Sequence, residues 1–149
     1  MLLKNKRARF EFDISKTLVA GIELLGQEVK SLRLKHGSLS SSFVKIIGDE
    51  AFLVNAQINP YSYADTTDYD AKRTRKLLIK KKEVFMLKET VSQRGWAIVP
   101  IQLFLQGKNI KLEIGIGRGK KEFEKRAVLK ERAIKRDVDR ELKKRSNLR

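Results

Sequence analysis

Residues 96–116 have the sequence WAIVPIQLFLQGKNIKLEIGI, two apolar runs separated by a short polar segment that contains a glycine. The runs 96–105 and 109–116 are rich in Ile, Val, Leu and Phe, which favour a pleated, half-buried backbone. The segment between them, Gln106-Gly107-Lys108, has the length and the glycine of a tight turn. This stretch predicts an antiparallel β-hairpin and a chain built mainly of strands.

Further strands are predicted upstream of this hairpin. Residues 43–47 and 51–58 are apolar runs joined by a short link that contains glycine, which predicts another hairpin. Nearer the N-terminus, residues 10–14 alternate apolar and acidic side chains, the period-two pattern of a half-buried strand. Residues 18–25 continue as extended chain, with Gly21 as a bulge or a point of close approach.

Helical patterns occur in two places in the body of the chain. Residues 27–35 fit a short amphipathic helix, and Gly37 is placed to end it. Residues 72–92 carry a second helical pattern, which Asp70 could cap. The charged residues 80–83 interrupt that pattern and predict a break between two helices.

The order of these elements indicates a fold class. About six short antiparallel strands, with two or three helices, fit a small closed or nearly closed barrel of the oligonucleotide-binding type. Closure is favoured because it removes exposed sheet edges. We therefore expect residues 1–117 to form a mainly β, six-stranded RNA-binding barrel and residues 118–149 to form a basic tail.

The C-terminal tail is strongly charged and has little apolar surface. Residues 118–149 contain 14 Lys and Arg against six Asp and Glu, which supplies half of the net charge of +16. Ile134, Val138 and Leu142 form only a narrow stripe, too small to hold a helix against a core. A solvated helix with salt bridges is one interpretation. A tail that is disordered when free and helical on RNA is favoured, because positive charge opposes collapse and rewards phosphate contact.

Catalytic chemistry has few candidates in this chain. His36 is the only histidine, and its place at a helix end favours a capping or surface role. The absence of cysteine excludes disulfides and thiolate metal sites. The acidic residues of loop 61–71 lack the glycine and terminal glutamate of a calcium loop. Residues 115–121 depart from the phosphate-loop pattern in two positions and precede a charged helix. We expect no catalytic activity, cofactor or metal.

RNA is the partner that the charge pattern favours. One basic stretch precedes the first strand and another covers residues 73–82, although such stretches are often only solvated surface. Tyr61, Tyr63 and Tyr69 could stack on unpaired bases, or could equally pack the loop onto the barrel. Apolar runs are shorter than a membrane span, and the start MLLKNKRAR is unlike a secretory signal. A cytoplasmic location is expected.

Six local motifs occur along the chain in an order that resembles one known family. They are Asn5-Lys6-Arg7-Ala8-Arg9, Gly26-Gln27-Glu28-Val29-Lys30-Ser31-Leu32-Arg33, Ile58-Asn59-Pro60-Tyr61, Arg73-Thr74-Arg75-Lys76-Leu77-Leu78, Val99-Pro100, and Gly119-Lys120-Lys121 followed by Glu124-Lys125-Arg126. In these motifs the chain resembles the small protein B family, whose members bind tmRNA (SsrA RNA) in bacterial ribosome rescue. The resemblance covers nearly the whole chain.

The resemblance implies a monomeric adaptor of trans-translation. Such a protein binds the tRNA-like domain of tmRNA and delivers it to stalled ribosomes, with elongation factor Tu and alanyl-tRNA synthetase acting through the tmRNA. Its tail enters the empty mRNA channel and becomes helical there. The residues assigned to tmRNA binding are Asn5, Lys6, Arg9, Glu28, Lys30, Arg33, Arg73, Arg75 and Lys76. Those assigned to the decoding centre and channel are Gly119, Lys120, Lys121, Phe123, Glu124, Lys125, Arg126, Ile134 and Leu142.

Several points stay open from the sequence. The chain has Tyr69-Asp70-Ala71 where the family usually has a His-acid-Pro run, and Phe123 and Glu124 also depart from the usual residues. In an RNA site, Glu28 must accept hydrogen bonds from base or ribose donors, or orient a neighbouring arginine, since its carboxylate would repel phosphate. Alternatively, it only stabilises a helix start. The alternative functions are a structural ribosomal protein or a general RNA-binding protein, and, least favoured, an RNA-processing enzyme.

Overall fold

A computed structural model describes residues 1–64, 67–120 and 122–147, with only the backbone of residues 122–124, 127–128 and 145–147. The chain divides into two compact units, Met1–Gly119 and Lys120–Arg149. The division falls directly after the last strand of the body.

The first unit contains nine strands and three helices within its described residues. The strands are β1 (Leu3–Lys4), β2 (Phe12–Ile22), β3 (Gly37–Ser38), β4 (Phe43–Ile47), β5 (Glu50–Val54), β6 (Gln57–Ile58), β7 (Arg75–Leu78), β8 (Trp96–Gln106) and β9 (Asn109–Gly119). The helices are α1 (Ala8–Glu11), α2 (Gly26–Arg33) and α3 (Lys81–Ser92). The second unit contains α4 (Glu122–Asn147).

Seven strands form one antiparallel sheet in the order β1-β8-β9-β2-β7-β5-β4, and β3 pairs with β6 in a small second sheet. The hairpin predicted from residues 96–116 is confirmed as β8 and β9, which pair from Gln106 and Asn109 to Trp96 and Arg118. Gly107 takes a positive φ of 63° in its turn, a conformation that glycine adopts without strain. β9 runs past the predicted end, to Gly119.

The barrel prediction is met only in part. The fold is mainly β, but the main sheet has seven strands rather than six. The strands predicted at residues 10–14 and 18–25 are one strand, β2, and the short strands β1 and β7 were not predicted. The end strand β4 lies beside β8, and both line a cleft of about 600 Å³ that includes Phe43, Ile98 and Trp96. Within the described residues no hydrogen-bonded ladder joins β4 to β8, so a closed barrel of the oligonucleotide-binding type is not confirmed.

Apolar side chains from the sheet and from α2 and α3 form one core. They include the following fully buried residues, listed in chain order: Leu32, Leu53, Ile58, Leu87, Leu103, Leu112 and Ile114. Each such side chain contributes roughly 1.5–3 kcal/mol relative to an exposed position. Leu32 on α2 and Leu87 on α3 therefore fix both helices on the sheet, which places the N-terminal turn of α2 beside β7.

The predicted helix at residues 72–92 is wrong in its first part. Residues 75–78 form strand β7, which pairs with β2 on one side and β5 on the other. These two ladders satisfy the backbone and override the weak local helical pattern. The carboxylate of Asp70 accepts the Lys72 N–H at 3.0 Å within a turn, so it caps no helix. Helix α3 begins at Lys81, inside the segment predicted as a break.

Three smaller predictions are also corrected. Residues 8–11 form helix α1, so the first long strand begins at Phe12 and not at residue 10. The run 51–58 is divided between two sheets, because Asn55 takes a positive φ of 64° and turns the chain. Helix α2 ends at Arg33, and Gly37, predicted to end it, belongs to β3.

Gly21 is a point of close approach, one of the two roles predicted for it. A Cβ atom at Gly21 would lie 3.0 Å from the Cβ of Leu78 on the paired strand β7. The bulge in β2 lies elsewhere, between Ile14 and Lys16. The small residue therefore lets β2 and β7 pair closely, and β7 carries the arginines of the candidate site.

The second unit is a long helix. α4 covers 26 residues, and its apolar side chains Ile134, Val138 and Leu142 are exposed. Arg140 lies 3.9 Å from Asp137, one turn earlier, as in the salt-bridged helix considered above. The helix is therefore consistent with the helical state of the tail, while the disorder of the free tail stays a prediction.

Candidate nucleic-acid interface

The carboxylate of Glu28 lies at the start of helix α2. Its Oε1 accepts the backbone N–H of Leu25 at 2.8 Å, which satisfies one of the donors that a helix leaves free at its N-terminus. The Glu28 side chain has no exposed surface. Glu28 therefore makes the contact expected of a helix-start carboxylate, and in this conformation its side chain has no surface open to a ligand.

Arg75 on β7 is the first partner of Glu28. Its Nε donates to Glu28 Oε2 at 2.7 Å, and this side chain too is fully buried. Its other nitrogens donate to the carbonyls of Ala56 at 2.8 Å and Ala71 at 3.1 Å, and to the Tyr69 hydroxyl at 3.3 Å. A buried guanidinium is tolerated only when its charge and its donors are matched in this way. Arg75 thus ties α2 to β7 and to the loop after β6.

Arg73 is the second partner and the one that reaches solvent. Its Nη2 lies 2.5 Å from Glu28 Oε1 and its Nε donates to Glu28 Oε2 at 3.2 Å, a two-pronged contact that fixes the plane of the guanidinium. About 30% of the side chain is exposed. It lines an open cleft of about 310 Å³ with Gln27, Asp68 and Asp70. The arrangement matches the predicted role of Glu28 in orienting a neighbouring arginine.

The charges of this cluster shift the titration of two groups. Burial alone would raise the pKa of Glu28, but hydrogen bonds from Arg73, the Leu25 N–H and Arg75 outweigh it and hold the pKa below the usual value. Burial raises the pKa of Tyr69, and the adjacent Glu28 carboxylate raises it further, against the opposing effect of Arg75. Glu28 is therefore ionised and Tyr69 neutral at physiological pH.

The remaining residues predicted to bind tmRNA divide into exposed and buried groups. Lys6, Arg9, Lys30 and Arg33 have exposed side chains. Lys76 is partly exposed and lies 3.3 Å from Glu50. Asn5 is buried, like Glu28 and Arg75, which could not be predicted from the sequence because polar residues are usually exposed.

Asn5 has a structural role at the N-terminus. Its side-chain amide donates to the Pro100 carbonyl at 2.9 Å, and its backbone N–H donates to the Ile101 carbonyl at 2.7 Å. Both bonds are made to β8, at a stretch where that strand has no paired strand on this side within the described residues. Asn5 therefore anchors the segment that presents Lys6 and Arg9.

The three tyrosines of loop 61–71 have different environments. The Tyr69 hydroxyl lies 2.8 Å from the Ile58 carbonyl and 3.1 Å from Glu28 Oε2, so this ring packs within the cluster. Tyr61 and Tyr63 form an edge-to-face pair with ring centroids 5.5 Å apart. The Lys30 ammonium lies 5.6 Å from the Tyr61 ring centre. The hydroxyl of Tyr69 is thus committed to the cluster, whereas Tyr63 is strongly exposed and Tyr61 partly so.

The residues predicted for the ribosome lie at the end of β9 and on α4. Gly119 ends β9, Lys120 follows it, and Lys121 lies outside the described residues. The side chains of Phe123 and Glu124 are also outside the description. Four others belong to α4 and lie at least partly at the surface, namely Lys125, Arg126, Ile134 and Leu142.

The described residues hold neither a metal-binding cluster nor a membrane-spanning helix. They contain no group of three or more His, Cys, Asp or Glu side chains placed to hold a metal ion. None of their helices is long and apolar enough to cross a membrane. The clusters that these residues do form pair acids with bases, as around Glu28.

Known proteins resemble the chain over nearly its whole length. The family model described as SmpB protein matches residues 2–144. The SsrA-binding protein of Gloeobacter violaceus is 40% identical over 143 residues, which is 96% of this chain and 94% of that protein. The SsrA-binding protein of Staphylococcus epidermidis is 42% identical over 142 residues, 95% of this chain and 91% of the relative.

Two further matches agree with these. The SsrA-binding protein of Chlorobium phaeovibrioides is 44% identical over 137 residues, 91% of this chain and 87% of the relative. A chain of the solved structure "tmRNA-SmpB: a journey to the center of the bacterial ribosome" is 38% identical with a TM-score of 0.68, covering 80% of this chain and 84% of that one. The similarity therefore extends to the fold.

Proposed function

From the premise that the chain belongs to the SmpB protein family, we propose that it binds tmRNA (SsrA RNA) and acts as an adaptor in trans-translation. The observation that carries this proposal is the extent of the family match, which runs from residue 2 to residue 144. It includes the body and the basic helix. The relatives are SsrA-binding proteins, and the similar solved structure is a tmRNA-SmpB structure on the bacterial ribosome.

The body supplies the surface for the tRNA-like domain of tmRNA. Lys6, Arg9, Lys30 and Arg33 are exposed cations that can neutralise phosphates. Arg73 is held in one orientation by Glu28 while its outer edge remains open to solvent. A fixed guanidinium loses little freedom when it binds a phosphate or a base edge, so this residue contributes geometric selectivity as well as charge.

Three of the residues assigned to tmRNA binding act indirectly, by positioning other residues. Glu28 orients Arg73, and the buried Arg75 holds Glu28 in place by a hydrogen bond. Asn5 anchors the N-terminal basic segment. Their burial supports this division, because Glu28 and Arg75 have no exposed surface and only 8% of Asn5 is exposed. Lys76 can reach RNA only by exchanging its contact with Glu50 for a phosphate.

The basic tail acts on the ribosome. Helix α4 spans 26 residues, or about 39 Å at ~1.5 Å per residue. A positively charged rod of this length suits a channel lined by phosphates, and it can enter only when no message occupies the channel. Residues 119–126 form the junction assigned to the decoding centre, and Ile134 and Leu142 present apolar side chains for the channel wall.

The adaptor needs no chemistry of its own. We place it in the cytoplasm as a monomer, with elongation factor Tu and alanyl-tRNA synthetase reached through the bound tmRNA. The arrangement of the site supports this role, because its charged groups are paired and hydrogen-bonded in a way that fixes positions and leaves no evident nucleophile and base.

A competition experiment tests the function. Labelled tmRNA is bound to the full-length protein at about 0.15 M ionic strength, where surface charges are screened as in the cell. Unlabelled tmRNA, tRNA and an unrelated structured RNA then compete. A strong preference for tmRNA supports the adaptor; equal competition by all three RNAs would instead indicate a general or ribosomal RNA-binding protein.

A further inference from the structure

Among the described residues of the body, Tyr63 is the most exposed of the large hydrophobic side chains. About 88% of its surface is open to solvent, although a phenol ring normally gains by burial. Its neighbour Tyr61 is only partly exposed, and the two rings meet edge to face at 5.5 Å. The other contact of Tyr61 is the Lys30 ammonium, 5.6 Å from its ring centre. Lys30 thus contacts the partly exposed ring of Tyr61, and Tyr61 in turn contacts the exposed ring of Tyr63.

Hydrogen bonds fix the segment that leads into Tyr61. The buried Ser31 hydroxyl lies 2.7 Å from the Asn59 carbonyl and 3.2 Å from the His36 carbonyl, so it joins α2 to the segment that leads into Tyr61. The Asn59 N–H donates to the His36 carbonyl at 3.0 Å. The turn that follows is closed by the Ala64 N–H on the Tyr61 carbonyl, also at 3.0 Å. Tyr63 is therefore presented from a fixed turn.

We infer that Tyr63, supported by Tyr61 and Lys30, is a stacking platform for one unpaired RNA base. This inference rests on the proposed function, since it names the part of the bound RNA, an unpaired base, that Tyr63 would contact. The Tyr63 ring is largely open to solvent, and every base has a face that can stack on an exposed ring. Lys30 and Arg33, one helical turn apart on α2, place positive charge where the backbone of that nucleotide would pass.

The test measures tmRNA affinity for the full-length protein and three variants at several salt concentrations. Tyr63→Leu removes the ring but keeps apolar bulk, and Tyr63→Phe keeps the ring. Phe85→Leu is the matched control, because Phe85 is another exposed ring, 62% open, on helix α3. We expect Tyr63→Leu to weaken binding roughly tenfold, within the range of base–aromatic stacking, and the other two to bind like wild type.

Two readouts separate stacking from other effects. The slope of log affinity against log salt stays unchanged in Tyr63→Leu, because no phosphate contact is lost. The melting temperature also stays unchanged, because the side chain is exposed. Wild-type affinity in Tyr63→Leu, or equal loss in Tyr63→Phe, overturns the platform. Both results leave the tmRNA preference of wild type intact, whereas loss of that preference is a separate failure, of the proposed function itself.

Discussion

The carboxylate of Glu28 accepts a hydrogen bond of 2.7 Å from Nε of Arg75, and neither side chain is exposed to solvent. The pair joins helix α2 to strand β7 across 47 positions of the chain. A second arginine, Arg73, uses the same carboxylate and reaches the surface. One buried carboxylate therefore has two roles. It holds α2 against β7, and it orients a cation at the candidate RNA interface.

Replacement of Glu28 by Ala should destabilise the body. The change leaves the buried Arg75 charge uncompensated, which costs roughly 3–5 kcal/mol. Urea unfolding monitored by circular dichroism measures the loss. Glu23→Ala, at an exposed glutamate close to α2, is the control and should stay within about 0.5 kcal/mol of wild type. Equal stabilities for the two variants would contradict the buried pair.

Replacement of Arg73 by Gln should reduce tmRNA affinity more than stability. Its side chain is partly exposed, so the unfolding free energy falls less than in Arg75→Gln, where the residue is fully buried. If Arg73 contacts one phosphate, the slope of log affinity against log salt falls by about 0.7–0.9. An unchanged slope with unchanged affinity would show that Arg73 serves only the internal cluster.

Acid should weaken the fold through Glu28. Because its pKa in the folded protein is lowered, its stabilising effect is complete above the usual value of 4.5 and is lost as pH falls through the folded value. The difference in unfolding free energy between wild type and Glu28→Gln should therefore be largest near neutral pH and shrink below about pH 4. A difference that stays constant with pH would contradict the lowered pKa.

Removal of the tail should separate RNA binding from ribosome rescue. The cut belongs after Lys120, since residues 117–119 pair with β2 and β8 and a cut after Ile116 would damage the sheet. We expect the truncated protein to keep most of its tmRNA affinity and to lose tagging of stalled peptides. Parallel loss of both would show that the tail is mainly an electrostatic anchor for RNA.

The free tail should gain helix on binding. α4 accounts for 26 residues, so its order is visible as a difference in far-ultraviolet circular dichroism between the full-length and truncated proteins. We expect a small helical difference in buffer and a larger one with ribosomes programmed without message. A full helical signal in buffer would favour the solvated, salt-bridged helix over the conditional one.

The sequence predicted the elements that have strong local patterns. The β8–β9 hairpin carries long runs of β-branched and large apolar residues around Gly107, so its position and turn were correct. Helix α2 was placed correctly to within two residues, and so were β4 and the start of β5, although β5 ends four residues before the predicted end. Strand β7 was missed, because four residues are too few to show a period and the flanking pattern was helical.

The candidate site was predicted in part. Glu28, Arg73 and Arg75 were all singled out, but the sequence could not tell which of the two arginines is exposed. Arg75 lies on β7 and shares its buried face with Leu77, whereas Arg73 precedes the strand and stays partly exposed. Tyr69 was grouped with the other tyrosines, and only its hydrogen bonds to the cluster set it apart.

The sequence by itself determined the charge and the β-rich character, because these depend on composition and short-range periodicity. Tertiary structure alone decided the strand order, the burial of Asn5, Glu28 and Arg75, and the exposure of Tyr63. The physical reason is that burial of a charge depends on partners distant in the chain. Glu28 is neutralised by residues that lie 45 and 47 positions away, and no local pattern records that distance.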